Sequence, residues 1–313
     1  MSFQNRTEVQ EFLLLAFNYI HKYRFLLLYV LIFIYMVTLV GNLLIIITSY
    51  FTVYLHSPMY FFLSNFSFSE IVFSTNIIPN LLYTILHGKA IISKTSCITQ
   101  YYMYSSSTSV ECLLLAVMSY DRYLAICNPL HYSSIMTIKL CLHLVTSTWF
   151  TSCMLSVAEA VQLSEMFFCD SAVIDHFFCD LGPLIQLSCS DTSTIEMTDF
   201  ILCFPILVFP VVFIIISYIN IISSILHISS TLGRKKAFST CSSHLIVIST
   251  YYGTCIFIYM TPLIENAVTI KKVLSLLYIV VTPLINPFIY SLRNKDIRLS
   301  IVKLCRKVKE YRL

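Results

Sequence analysis

FLLLYVLIFIYMVTLVGNLLIIIT, from Phe25 to Thr48, contains no Asp, Glu, Lys or Arg. A helix needs ~20 mainly apolar residues to cross a bilayer, and in lipid it must satisfy every backbone polar group within itself. This stretch meets both conditions. Leu140 to Ala158, Ile201 to Ser230, Ala237 to Ile264 and Val273 to Leu292 are equally free of charge. Pro58 to Leu86 is interrupted only by Glu70, and Cys97 to Ile126 only by Glu111 and the pair Asp121-Arg122. The pattern predicts an all-α membrane protein, a bundle of seven transmembrane helices. The spans fall at about residues 25–50, 58–86, 97–126, 140–161, 200–228, 237–262 and 272–292, between a tail at 1–24 and a C-terminal segment at 293–313.

Composition says the same of the whole chain. Its 313 residues are 58% hydrophobic and 12% charged, where roughly a quarter of a soluble domain is charged. Folded in water, it would expose apolar surface far beyond what a soluble monomer tolerates. Twelve Cys are too dilute for a small disulfide-stapled scaffold. No HExxH or GxSxG sequence occurs, and the His residues form no metal-ligand spacing, so neither an intramembrane enzyme nor a cofactor is expected. A retinal Schiff base needs a Lys inside a span, and Val273 to Leu292 has none. Partners are expected to be the lipid bilayer and a small molecule, with no nucleic acid.

Orientation follows from the Lys and Arg at the ends of the spans. With a cytoplasmic C-terminus, that side holds Arg122, Lys139, Arg234, Lys235, Lys236 and the eight from Arg293 to Arg312, thirteen of the twenty. The N-terminus is therefore expected outside. Arg6, Glu8, Glu11, Lys22 and Arg24 interrupt any apolar signal core, so the first span directs insertion. Asn5-Arg6-Thr7 is then a glycosylation sequon on an accessible tail, whereas Asn65-Phe66-Ser67 lies inside a span. Cys97, Cys169, Cys179 and Cys189 fall at or beyond the outer ends. Their three pairings cannot be separated by sequence. Capture of a metal by His176 and a thiolate is an alternative that oxidising conditions disfavour.

Several segments at the inner ends carry a resemblance: Gly41-Asn42, LHSPMYFFLS (Leu55 to Ser64), MSYDRYLAIC (Met118 to Cys127), KAFSTCSSH (Lys236 to His244) and PLINPFIYSLRN (Pro283 to Asn294). Together the chain resembles the olfactory receptors, a branch of the rhodopsin-like G-protein-coupled receptors. Glu70 stands where that family usually has Asp, Ser119 where it has Ala, and Asn80 where Lys is common. The resemblance implies a small volatile organic ligand and a heterotrimeric G protein of the stimulatory type that raises cyclic AMP. It also implies residence in the plasma membrane of sensory-neuron cilia. The runner-up within the class is a chemoreceptor for an endogenous metabolite outside the nose. From another class comes an ion or proton transporter using Glu70 and Glu111, against which the lack of internal repeats argues.

Residue by residue, the resemblance makes Asp121, Arg122 and Tyr123 a restraint released toward the G protein. The plain alternative is a snorkelling Arg at a helix end. Asn286, Pro287 and Tyr290 join a missing helix hydrogen bond to polar neighbours, either a switchable bend or a static kink; Pro210 and Tyr218 read similarly. Glu70 and Glu111, near Asn42 and Asn286, would bracket sodium or share a proton, or else form a neutral packed pair. Cys97 would pair with Cys179, and Cys169 with Cys189. Tyr101, Ser105, Thr108 and Cys112 recur at helical spacing as a small polar stripe, with Tyr104 and Ser109 beside it. The family's positions add Leu202, Cys203, Ile206, Tyr252, Cys255, Ile256, Tyr259 and Ile279 to the ligand set. Ordinary helix packing through small residues is the alternative for each. A lining without deep Lys or Arg favours a neutral ligand over a carboxylic acid, and Glu159 is expected to face a loop. After Asn294, Ile297, Ile301, Leu304 and Val308 recur on one face between basic residues, an amphipathic helix for the inner leaflet with Cys305 open to palmitoylation.

Tags on the two termini are expected to be reached from opposite faces of intact cells. Antibody staining before and after permeabilisation checks this, and labelling of both ends from one face contradicts an odd number of crossings.

Overall fold

In the computed structural model, residues 9–15, 21–169, 172–260, 267–293 and 297–303 are described. Seven long helices make the bundle: α1 (Arg24–Phe51), α2 (Pro58–His87), α3 (Lys94–Cys127), α5 (Ile138–Glu165), α7 (Ser193–Leu226), α8 (Thr231–Met260) and α9 (Ala267–Arg293). Two short ones, α4 (Tyr132–Ile135) and α6 (Leu181–Leu187), lie in the connections. Residues 297–303 form the start of the C-terminal helix, with Ile297 buried and Ile301 packed against the core. Leu304, Cys305, Val308 and the Asn5 sequon lie outside the described residues.

Local chemistry sets the helix ends. Pro58 occupies the first turn of α2, where its missing N–H costs nothing. At the other end Gly88 adopts φ 80°, the left-handed cap that a side chain disfavours. Ser93 opens α3 by accepting from the Ser96 amide, and Thr137 opens α5 by accepting from the Leu140 amide. Pro79, Pro205, Pro210, Pro283 and Pro287 sit inside helices, as transmembrane helices tolerate.

Packing places α3 at the centre, against α2, α5, α7 and α8. A hydrophobic core fills the bundle, and large apolar side chains cover its outside as well. Phe25, Phe33, Phe209, Ile215 and Ile219 point outward, whereas Glu70, Glu111, Asp121, Glu159, Asn42, Asn286 and His244 are buried. By length and apolarity α1, α5, α7 and the Lys272–Tyr290 part of α9 are each fit to cross a membrane. The polar α2 and α3 are the ones their neighbours enclose. Ser64, Ser74 and Thr84 return their hydroxyl protons to carbonyls one turn back, at 2.7 to 2.8 Å, which lets polar residues sit inside α2.

One feature is added to the helical expectation. A three-stranded sheet of order β2-β1-β3 caps one end of the bundle, from β1 (Glu11–Leu14), β2 (Ala90–Ser93) and β3 (Val173–Ile174). β1 runs antiparallel to β2, pairing Glu11 with Ser93 through Leu14 with Ala90, and parallel to β3. The alternation of β1 turns Phe12 and Leu14 inward. There they join Ile92, Cys97, Tyr101, Phe168, Ile174 and Cys179 in a second hydrophobic core. The N-terminal segment is thus part of the fold, not only a tail.

α1 and α9 meet where Gly41 faces Pro287: a Cβ at Gly41 would lie 2.8 Å from the Pro287 Cβ. The proline ring cannot swing aside, so the helices would have to part. Gly41→Val is expected to destabilise the protein by ~1–3 kcal/mol, the usual cost of overpacking, read as a lowered melting temperature in detergent. A variant as stable as the parent would mean that α1 and α9 do not approach so closely.

Candidate functional site

Beneath the sheet lies a cavity of about 500 Å³, within the range typical of small-molecule sites. One wall is α3, which contributes Tyr101, Tyr104, Ser105, Thr108, Ser109 and Cys112. Ile206 and Leu207 come from α7, Cys255 from α8, and Ser275 and Tyr278 from α9. The roof is β3, Asp175, His176 and the stretch from Asp180 through α6, with Asp199 at its edge. Tyr104 packs between Phe73 and Phe178, and Phe73 also meets Tyr278 edge-on, so the walls join through aromatic contacts.

Covalent and polar ties hold the roof down. Disulfides join Cys97 of α3 to Cys179 and Cys169 to Cys189. Gln100 and Asn76 exchange hydrogen bonds from side chain to backbone carbonyl at 3.0 and 2.9 Å, and the Gln100 side-chain Oε1 accepts from the Cys179 amide at 3.0 Å. Lys272 of α9 pairs with Asp175 at 2.5 Å. His176 stacks on Phe177, and the cysteines around it are consumed in the disulfides.

Below the cavity α8 grips α3. Tyr251 donates to the Thr108 carbonyl at 2.8 Å and lies 3.3 Å from the Cys112 sulfur, while Tyr252 donates to the Cys112 carbonyl at 3.3 Å. Deeper still, Asn286 hydrogen-bonds Glu70. Glu111 is close enough to Glu70 to interact with it electrostatically, and the Ser69 hydroxyl donates to the Ser107 carbonyl at 3.2 Å. One oxygen each of Glu70, Glu111 and Asn286 is buried without a hydrogen-bond partner. Asn42 donates to the Thr38 carbonyl at 3.1 Å and reaches the Pro283 carbonyl at 3.5 Å, tying α1 to α9.

At the opposite end from the disulfides, Asp121 accepts from Arg122 Nη2 at 2.5 Å and Nε at 3.0 Å, and from the Tyr132 hydroxyl at 2.7 Å. A guanidinium keeps its charge at any working pH, so a carboxylate is its natural restraint; here both nitrogens bond to Oδ2 while Oδ1 takes the Tyr132 proton. The Tyr218 hydroxyl lies 2.7 Å from His244 Nδ1. Tyr218, His244 and Tyr290 are all within electrostatic reach of Arg122.

A cavity at one end, a restrained arginine at the other and a polar helix running between them form the frame of a seven-helix receptor. A family described as olfactory receptor matches residues 31–307. The chain is 42% identical over 308 residues to olfactory receptor 1468 of Rattus norvegicus, covering 98% of each. It is 41% identical over 310 residues to olfactory receptor 2M2 of Homo sapiens, covering 99% of this chain and 89% of that one. This chain belongs to the olfactory receptor family. Its fold is also that of the crystal structure of squid rhodopsin, with TM-score 0.70 at 18% identity over 87% of this chain and 77% of that one. As an olfactory receptor family member it is a multi-pass membrane receptor and not an enzyme, and its partners are a small ligand and a G protein.

Of the ligand set expected for this receptor, the structure brings eight to the cavity: Tyr101, Tyr104, Ser105, Thr108, Ser109, Cys112, Ile206 and Cys255. Others lie outside its lining. Ile256 faces outward, 52% exposed, about 100° around α8 from Cys255. Tyr252 is spent on the α3 backbone, Ile279 is buried in the core, and Leu202 lies outside the lining. The side chains of Cys203 and Tyr259 lie outside the described residues. Glu159, expected to face a loop, is fully buried and accepts from Tyr101 and Ser105. Of the roof, the sequence marks only His176 and the cysteines, because β3 and α6 are too short to show a periodicity.

Cys179→Ser is expected to lose the roof and fall in stability by ~2–5 kcal/mol, as removal of a disulfide usually costs. The check is the amount of receptor stained at the cell surface; parental levels with full signalling would mean that the clamp is dispensable.

Proposed function

We propose that this protein is an odorant receptor that binds a small neutral volatile in the cavity beneath the sheet and activates a stimulatory G protein, raising cyclic AMP. The observation that carries this reading is the α3 wall of hydroxyl and thiol groups, Tyr101 to Cys112, closed over by the disulfide-held roof. Such a cavity offers apolar contact with a few orienting polar groups. Among the described residues no Lys or Arg lines it, so a ligand carboxylate would lose hydration without gaining a partner.

The excess of basic residues beside Arg122 and after Arg293 orients that end toward the cytosol, with the N-terminus and a glycosylated Asn5 outside. Residence is in the plasma membrane of sensory cilia, with the basic C-terminal helix on the inner leaflet. A ligand that binds the active arrangement better shifts the population toward it. Tyr251 and Tyr252 carry the change from α3 to α8, and release of Arg122 from Asp121 opens the inner face. Tyr123, Tyr218, Asn286, Pro287 and Tyr290 move with it. Glu70, Glu111, Asn42 and Asn286 form an intermediate polar pocket whose unpaired oxygens suit a sodium ion or a shared proton.

A cyclic-AMP reporter in cells exposed to a panel of volatiles tests the reading. Arg122→Ala should reach the surface and lose the signal altogether. Ser109→Phe, which fills the cavity, should reach the surface and lose the response to every agonist. A normal response from Arg122→Ala overturns the switch, and one from Ser109→Phe overturns the cavity as the ligand site.

A further inference from the structure

Glu159 stands on α5 behind the α3 wall, with no exposed surface. Its Oε2 accepts the hydroxyl proton of Tyr101 at 2.7 Å and that of Ser105 at 3.2 Å. Ser156, one turn earlier on α5, donates to the Ser105 oxygen at 3.1 Å. Tyr101 and Ser105 both line the cavity. A hydroxyl has a single proton to give, and both wall hydroxyls direct theirs away from the cavity. Hydrogen bonds to a carboxylate are stronger than those to a neutral carbonyl, so a neutral ligand does not win these protons back. Toward the cavity Ser105 therefore has a lone pair to offer and no proton.

A ligand O–H donates to the Ser105 lone pair that remains once Ser105 has accepted from Ser156. A ketone, ester or ether oxygen brings a second acceptor to the same place with no proton between the two, which leaves buried acceptors unpaired. A pocket built this way rejects the analogue lacking the donor more sharply than it sorts hydrocarbon length.

We propose that Glu159 sets the chemical class of the ligand by committing the Tyr101 and Ser105 protons, so that the cavity selects a neutral volatile with a hydroxyl donor, an alcohol or phenol. The proposal rests on the cavity being the ligand site.

The test uses the full-length receptor, a cyclic-AMP reporter and volatile alcohols and phenols, each with the ketone and methyl ether of the same carbon skeleton. The parent should favour the hydroxyl compound of each set by about tenfold or more in potency, the worth of one buried hydrogen bond. Glu159→Leu frees the two wall hydroxyls to donate and should erase or reverse that preference while agonists still signal. Should Glu159→Leu fail to reach the surface, Glu159→Gln and the double variant Tyr101→Phe with Ser105→Ala read the same ratio, and both should lower it. Ser109→Phe separates the two ideas: unchanged responses there remove the cavity itself as the site. If Ser109→Phe is silent but the potency ratio is the same in parent and Glu159 variants, the role of Glu159 falls alone. A parent that answers to ketones or ethers as well as to their alcohols, or to no alcohol or phenol at all, also overturns it.

Discussion

A polar side chain on a helix in lipid has no water to turn to, and that constraint organises the whole molecule. Glu70, Glu111, Asp121 and Glu159 are each at most 1% exposed. Each needs a partner, because an isolated carboxylate in hydrocarbon is costly. They find it within the bundle. Glu159 takes protons from Tyr101 and Ser105, Glu70 takes one from Asn286 and lies near Glu111, and Asp121 holds its neighbour Arg122. The polar groups that lipid forbids on the outside thus become a connected series along one central helix. From Tyr101 to Arg122 that series spans about 30 Å at 1.5 Å per residue.

The two ends of the series are built differently. At the disulfide end the structure is clamped: two disulfides, the Gln100–Asn76 exchange and the β1 strand hold the roof over a preformed cavity. Ordering this roof in advance lowers the entropy that a small ligand would otherwise have to overcome. At the Arg122 end noncovalent contacts take the place of disulfides among the described residues. The Tyr218–His244 pair sits in the hydrophobic core, and it, the Arg122–Asp121 bridge and the bends at the α9 prolines can be exchanged for other contacts without breaking a covalent bond. A rigid site facing an adjustable one, with Tyr251 and Tyr252 joining α3 to α8 between them, is what a signal across a membrane requires.

Much of this is legible in the chain. Long charge-free stretches dictate helices that cross lipid, and the rare ionisable residues inside them announce interior partners. The i, i+4, i+7 spacing of Tyr101, Ser105, Thr108 and Cys112 places them on one face, and that face lines the cavity. Other positions carry no such signal. Ile256 and Cys255 are neighbours in sequence yet one is exposed and the other lines the cavity, and a family position cannot say how far α8 is rotated. Phe12 and Leu14 look like part of a tail until β2 and β3 arrive to pair with them.

What the sequence by itself determined is therefore which segments enter the bilayer and which side chains lipid cannot accept, because hydrophobic length and isolated charge are properties of a local stretch. Only the tertiary structure decided who partners whom. Glu159 faces Tyr101 and Ser105, not a loop, and the strands from residues 11, 90 and 173 meet in one sheet. Those pairings are set by helix rotation and by contacts between residues far apart in the chain, on which no local pattern bears.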